Sequence, residues 1–302
     1  MAKVVLNGQI HFTRLAAEFL SSHTRDRFKP IDYRPFGRRN AAKYLVEIAT
    51  ARTVASFWGA VTVDDPFSRA MVLARGLGKP LVFMWMGTDV LWARDRPHNE
   101  DLKNGARHYC EAPWTRDELA EIGIEASLLP RPPMTRLPDI TNVAPPETFS
   151  VLAYLGAGRE PFYGYETIEL LAREHQDVTF KIVGSSGVEG APGNLQFLGR
   201  VAEERLGRLY SECAVFIRLP EHDGFSYSVR EALAWGRTVI ASYPYPHALH
   251  APDAGAASDH LRVLREAFER GRFAANAAGR EYIEIEYAPA RVAHLLHTAL
   301  LG

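Results

Sequence analysis

Cysteine is scarce in this chain. Cys110 and Cys213 are the only two among 302 residues, and their separation fits no metal-ligand spacing. Cys213 opens the apolar run Ala214-Val215-Phe216-Ile217 and reads as a small buried hydrophobe, which suits a reducing cytoplasm. No apolar run reaches the roughly 20 residues that a membrane span needs, and the N-terminus has no long apolar h-region. Any membrane contact is then expected from the surface. Charge of one sign is not in excess either. The net charge of -1 removes the bulk electrostatic argument for nucleic acid as a partner. No His/Asp/Glu cluster has the spacing of a metal site, and His247 and His250 are too isolated to form one. No short internal repeat is visible.

Locally the charge is uneven. From Arg25 to Arg52 there are eight Lys/Arg (Arg25, Arg27, Lys29, Arg34, Arg38, Arg39, Lys43, Arg52) against three acids (Asp26, Asp32, Glu47). This stretch reads either as a solvated face or as a surface for phosphate or an anionic bilayer. Around it, short apolar runs alternate with amphipathic segments, the pattern of parallel α/β sheets. In the first half the expected strands are 3–6, 53–57, 80–84, 107–110 and 126–129, with helices at 13–21, 41–51, 66–76 and 116–122. The proline-rich stretches Pro130-Arg131-Pro132-Pro133 and Pro145-Pro146 read as an interdomain linker. The alternation then restarts. Strands are expected at 149–154, 178–183, 195–198, 214–218 and 239–241, and helices at 167–174, 202–211, 226–235 and 289–301. The expected architecture is two Rossmann-like doubly wound domains facing across a cleft, 1–145 and 146–284, followed by a terminal segment, 285–302, with an amphipathic helix. In such sheets ligands sit beyond the carboxyl ends of the strands.

The densest chemistry lies at Glu221-His222-Asp223-Gly224-Phe225-Ser226, running through Glu231 to Trp235-Gly236. It reads as loop, helix and turn before a buried strand. Ser226 is the expected N-cap and Gly236 the C-terminal stop. A helix start offers backbone N–H groups and positive dipole charge to a phosphate. Two carboxylates flanking such a site are not needed for folding.

The ordered motifs from 149 to 242 resemble the donor-binding domain of retaining glycosyltransferases of the GT-B fold, family 4-like. The motifs are Tyr154-Leu155-Gly156, Phe180-Lys181-Ile182-Val183-Gly184, Asn194-Leu195-Gln196-Phe197-Leu198-Gly199-Arg200-Val201, Leu209-Tyr210, and the acidic pair Asp223 and Glu231 followed by Ala232-Leu233-Ala234-Trp235-Gly236. Met86-Gly87-Thr88-Asp89-Val90 resembles a loop of the family's first domain, with Met86 where the family often has His. The closing segment 285–302 resembles the family's terminal helix, which implies that it crosses back to the first domain.

The resemblance implies a role for each matching residue. Glu231 would accept hydrogen bonds from the ribose of a nucleotide-sugar; the alternative is an exposed helical glutamate paired with Arg230 or Arg237. Asp223 would face the donor sugar, and the N–H groups of Gly224, Phe225 and Ser226 would cradle the diphosphate. Gly184, Gly199 and Arg200 would line the donor loops. Breaking the sugar–phosphate bond leaves negative charge on the departing diphosphate, so fixed positive charge is needed. Arg159 fits that role or is a surface charge. Tyr163 stands where the family places a lysine, and Arg218 and Arg200 are the compensating cations. On the acceptor side Asp89 either binds an acceptor hydroxyl or caps the following helix. Gly8 and His11 mark the first loop, where His11 faces the cleft or solvent. Trp58 and Trp85, at strand ends, are candidates for stacking on a sugar. The implied activity is metal-independent, cytoplasmic hexosyl transfer with retention, without a cofactor, from a UDP- or GDP-sugar to a saccharide or lipid-linked acceptor of a cell-surface polysaccharide. The protein would sit peripherally at the inner membrane face. Two rival readings are a non-catalytic nucleotide- or sugar-binding remnant and a sugar-nucleotide epimerase.

Overall fold

The computed structural model describes residues 1–31, 38–133, 138 and 146–302, with backbone alone for 38–41 and 43. Asp32, Arg34 and Pro145 lie outside the described residues, as do the side chains of Arg38, Arg39 and Lys43. The chain divides into two compact units, Met1–Met134 with Glu286–Gly302, and Thr135–Ile285.

The first unit contains β1 (Lys3–Gly8), α1 (Ile10–His23), β2 (Arg27–Ile31), α2 (Arg38–Ala49), β3 (Thr53–Phe57), α3 (Ser68–Gly76), β4 (Leu81–Trp85), α4 (Thr88–Arg94), α5 (Glu100–Asn104), β5 (Arg107–Cys110), α6 (Pro113–Glu121) and β6 (Ala126–Leu128). Its strands form one parallel sheet in the order β2-β1-β3-β4-β5-β6. Every residue of β3 and β4 is buried. Helices cover both faces of such a sheet, which is why these strands read as continuous apolar runs rather than alternating ones.

The second unit contains β7 (Ser150–Tyr154), a 3-10 turn (Pro161–Tyr163), α7 (Tyr165–Glu174), β8 (Thr179–Val183), β9 (Leu195–Gly199), α8 (Glu203–Glu212), β10 (Val215–Arg218), α9 (Tyr227–Ala234), β11 (Thr238–Ala241), β12 (Leu249–His250), α10 (Ala254–Glu269) and α11 (Ala277–Glu286). Its parallel sheet has the order β12-β11-β10-β7-β8-β9. The last helix, α12 (Pro289–Leu301), buries Val292, Ala293, Leu296, Ala299 and Leu300 and packs on α1 within the first unit. His297 Nε2 lies 2.7 Å from Asp26 Oδ2, and Arg52 and Arg107 donate to the carbonyls of Leu301 and Gly302 at 3.2 Å each.

Each sheet reverses its winding once. In the first unit the chain passes from β1 to β2 on one side, then resumes at β3 on the other. In the second it passes from β7 through β8 to β9, then resumes at β10 on the other side of β7. The carboxyl ends at these reversals are where doubly wound folds bind ligands. Sequence patterning missed β2, whose Arg27, Lys29 and Pro30 suit an edge strand. It also missed α5, α10, α11 and the two-residue β12, and gave no bounds to the helix expected after Asp89, which is α4.

Candidate active site

The reversal in the second sheet brings the loops after β7 and β10 into contact. Gly164 has φ +83°, and a Cβ there would lie 2.1 Å from the Leu219 carbonyl oxygen. Only glycine serves at this crossing. The Glu221 N–H donates to the Phe162 carbonyl at 2.9 Å, closing the junction. Tyr163 packs edge-on against Tyr154, with ring centroids 5.3 Å apart. The Arg218 guanidinium carbon lies 5.0 Å from the Tyr163 ring centroid and 5.8 Å from that of Tyr154. Tyr163 thus contributes an aromatic wall where the family resemblance expects a charge. Arg159 is exposed, its guanidinium 4.3 Å over the Phe162 ring.

The loop after β8 is stitched to the same region. Ser185, fully buried, donates its hydroxyl to Glu160 Oε1 at 2.7 Å. The Gly184 N–H donates to the Gly199 carbonyl at 2.8 Å, and the Gly199 N–H to the Ser185 carbonyl at 3.0 Å. These two glycines hold one loop to the other through their own N–H groups. Arg200, next to them, is exposed.

Asp223 is engaged by protein groups. Arg218 donates Nε to Oδ2 at 2.8 Å and Nη2 to Oδ1 at 2.9 Å, in a bidentate pair with both side chains nearly buried. The Tyr245 hydroxyl, 2.7 Å from Oδ2, donates to the same carboxylate. That hydroxyl also accepts from the Ser226 N–H at 3.1 Å and lies 2.9 Å from the Gly224 carbonyl. Burial pulls the Arg218 pKa down, but the charge and hydrogen bonds of Asp223 outweigh this and the net direction is upward. Burial raises the Tyr245 hydroxyl well above its ordinary value, so it remains a donor.

Three expectations change here. The Arg218 charge is neutralised by Asp223 and does not stand as a spare cation for a leaving phosphate. Both Asp223 oxygens bind protein donors, so the carboxylate organises the loop. Ser226 is the N-cap residue of α9, yet its side chain makes no capping bond. Its hydroxyl lies 2.8 Å from that of Ser228, and its N–H, expected to face phosphate, serves Tyr245. Phe225 is buried with its ring edge-on to Tyr245, which anchors the turn between Gly224 and the helix.

Glu231 sits on α9 and is partly exposed. Its Oε2 accepts from the Tyr210 hydroxyl at 3.1 Å. Tyr210 comes from α8 and is almost completely buried. The carboxylate is thus held from below by one element and carried by another.

In the first unit the expected acceptor-side residues divide. Gly8, at φ +133°, touches the Phe57 backbone at the β1/β3 reversal. His11 lies in α1 rather than in a loop, and is exposed. Trp85 is a core residue. It is 1% exposed, donates Nε1 to His108 Nδ1 at 3.1 Å, and lies against Gly59, where a Cβ would come within 2.0 Å of its ring. A strand-end position suggested the cleft, but the glycine opposite admits the indole into the interior. Trp58 is partly buried and donates Nε1 to Asp65 Oδ2 at 2.7 Å.

Asp89 is fully buried and accepts from the N–H groups of Gly59 at 2.7 Å, Met86 at 3.0 Å and Gly87 at 2.8 Å. Burial pushes its carboxyl up and the backbone donors pull it back, with a net upward direction. Asp89 thus binds together the loops after β3 and β4, rather than reaching for an acceptor or capping α4 in the usual way. Beside it, Glu111 and Arg131 form a buried ion pair, and Arg131 Nη1 approaches Met86 Sδ at 3.8 Å. Sequence reasoning placed Arg131 in a linker, because the flanking prolines dominated the signal. A separate cavity of about 260 Å3 is lined by Ile10, Arg14, Lys29, Pro30, Ile31, Tyr44 and Glu47.

Two parallel doubly wound sheets with these reversals define the GT-B class of fold. Residues 161–256 match the family model described as glycosyl transferases group 1, a span that holds Tyr163, Tyr210, Arg218, Asp223, Glu231 and Tyr245 but not β7, Arg159 or Glu160. No curated protein matches the sequence. Among solved structures, the pneumococcal O-GlcNAc transferase GtfA in complex with UDP and GlcNAc is similar at 12% identity and a TM-score of 0.58, over 87% of this chain and 60% of that one. The chain thus spans about three fifths of the length of GtfA. A glycosyltransferase from Rickettsia africae ESF-5 is similar at 11% identity and a TM-score of 0.67, over 99% of this chain and 98% of the other. UDP-GlcNAc 2-epimerase from Neisseria meningitidis bound to UDP-GlcNAc is similar at 11% identity and a TM-score of 0.55, over 99% of each chain. These likenesses establish the fold.

Proposed function

We propose that the chain is a glycosyltransferase that moves a sugar from a nucleotide-sugar, a UDP- or GDP-sugar, to a saccharide or lipid-linked acceptor with retention of configuration. The observation that carries this reading is Glu231, a partly exposed carboxylate on α9 at the β7/β10 reversal, braced by Tyr210 and inside the family-matched span. A carboxylate accepts two donors in one plane, which suits the vicinal hydroxyls of ribose. The first turn of α9 supplies backbone donors and dipole charge for phosphate. Arg159 is the cation of the loop after β7 that remains exposed, and it would meet the charge that builds on the departing diphosphate. Retention needs no protein nucleophile if the leaving phosphate takes the acceptor's proton on the same face. The saccharide or lipid-linked acceptor belongs to the first unit in this reading, where Arg14, Lys29 and Glu47 line a cavity that carries both signs of charge. In this reading the basic segment 25–52 would hold the protein at an anionic inner membrane face; no helix among the described residues is long and apolar enough to cross a membrane.

The remnant reading has one specific observation in its favour. Arg218 is neutralised by Asp223, which leaves the donor loops short of positive charge. Calorimetry with UDP, GDP and their sugars, followed by assays of transfer and donor hydrolysis, separates the readings. Transfer or hydrolysis of a bound nucleotide-sugar supports the transferase. Tight binding without turnover supports the remnant. Conversion of the nucleotide-sugar to an epimer without acceptor supports the isomerase.

A further inference from the structure

Tyr210 has no part in the site as described beyond its contact with Glu231, yet its placement is costly. A buried tyrosine hydroxyl needs a partner, and this one is almost completely shielded from solvent. Two acceptors lie within reach. Glu231 Oε2 is at 3.1 Å and the Ser228 carbonyl at 3.3 Å. A hydroxyl has one proton, and a carboxylate is the stronger acceptor as well as the nearer one, so the bond goes to Glu231. The ring has little freedom to turn away, since it is packed with its centroid 5.8 Å from that of Phe216. Burial also raises the phenol far above its ordinary pKa, which keeps the proton in place.

We infer that Tyr210 is a positioning residue for sugar-ring recognition: by pinning one oxygen of Glu231 it fixes the plane of the carboxylate and makes the site select ribonucleotides over 2′-deoxyribonucleotides. The inference rests on the ribose role proposed for Glu231. A glutamate side chain has three rotatable bonds, and ordering it on binding costs affinity. A carboxylate already fixed by a rigid phenol meets the two hydroxyls without that loss. The geometry also couples the site to α8, because the brace comes from a different element than the carboxylate.

The test compares wild type, Tyr210→Phe and Glu231→Ala by calorimetry against UDP, GDP, 2′-deoxy-UDP and 2′-deoxy-GDP. Wild type should prefer the ribonucleotide of the base it binds by about tenfold or more, the range of a hydrogen bond to a charged group. Tyr210→Phe should weaken the ribonucleotide by about tenfold and the deoxynucleotide by less than about twofold, so that most of the preference disappears. Equal weakening of both, or no change in the preference, overturns the inference. Glu231→Ala separates the levels. If it abolishes the preference while Tyr210→Phe does not, the ribose role stands and the bracing role fails. If Glu231→Ala changes nothing, or wild type binds none of the four, both fail. Thermal unfolding checks that the phenylalanine variant is folded. Should it not fold, proton NMR of the wild type decides: the protected Tyr210 hydroxyl resonance should shift on saturation with the preferred ribonucleotide and not with its deoxy form. A resonance that responds alike to both overturns the inference.

Discussion

Asp89 in the first unit and Asp223 in the second both lie just beyond the carboxyl end of a buried parallel strand, Asp89 in the first turn of α4 and Asp223 in the loop before α9. Their surroundings differ. Asp89 is held by backbone N–H groups of two loops, whereas Asp223 is held by the guanidinium of Arg218 and the hydroxyl of Tyr245. Glu231 is the contrast to both, since it is partly exposed and takes a bond from the Tyr210 phenol. An acidic residue in the loop or helix after a parallel strand therefore carries two distinct meanings. Where protein donors occupy the carboxylate, it shapes a loop. Where the carboxylate stays partly exposed, as at Glu231, it is set to receive something from outside.

The sharpest way to break this comparison is Arg218→Ala. It strands the Asp223 carboxylate in a buried place, and removing one partner of a buried pair typically costs about 3–5 kcal/mol. The variant should melt far below wild type in thermal unfolding. Replacing both partners, Arg218→Met with Asp223→Leu, should recover a large part of that loss, because no charge is left uncompensated. A single variant that unfolds like wild type would mean that the pair is a surface feature after all.

Asp89→Ala should cost somewhat less, about 3 kcal/mol, measured by urea unfolding. It leaves three backbone donors without an acceptor, and those of Gly59 and Gly87 are buried. The loops after β3 and β4 should loosen together, seen as faster amide exchange at Gly59 and Gly87. Protection lost at only one of them would show that Asp89 does not join the two loops.

The fold was legible in the chain because parallel strands buried on both faces leave unmistakable apolar runs, as at 53–57 and 81–85. β2 escaped because an edge strand keeps one side open, and Arg27, Lys29 and Pro30 erase the apolar signal. Trp85 was misplaced because position along a strand says nothing about what faces it; Gly59, 26 residues earlier, decides the matter. The candidate site was legible as a set of loops but not as a set of contacts. The Arg218–Asp223 pair spans a turn whose shape depends on Tyr245, 22 residues further on, and no local spacing encodes it. Tyr210 was visible within a motif, but its hydroxyl acquires a role only when α8 packs beside α9.

Glu231→Ala tests the other half of the comparison. It should lower the melting temperature much less than Arg218→Ala does, since the carboxylate is partly exposed and the Tyr210 hydroxyl can turn to the Ser228 carbonyl, while weakening nucleotide binding by about tenfold or more. Calorimetry against UDP and GDP reads the binding. Loss of stability comparable to Arg218→Ala, with affinity intact, would move Glu231 into the class of loop-shaping carboxylates.

Arg159→Ala should give the smallest effect, and its pattern is more informative than its size. The guanidinium rests on Phe162 in the open, where cation–π contacts and exposed charges contribute about 0.5–1 kcal/mol. Binding of UDP or GDP should weaken by about two- to fivefold, and binding of uridine or guanosine should not change, because only the diphosphate carries the charge that Arg159 would meet. Added salt should shrink the difference between the variant and wild type, as screening does for exposed charges. The transfer rate should fall further than affinity does, since the departing diphosphate gains charge as the bond breaks. An equal loss for nucleosides and nucleotides would make Arg159 a packing residue of the 161–163 turn. The donor loops would then hold no exposed cation beyond Arg200, and the balance would tip toward a protein that binds its nucleotide without turning it over.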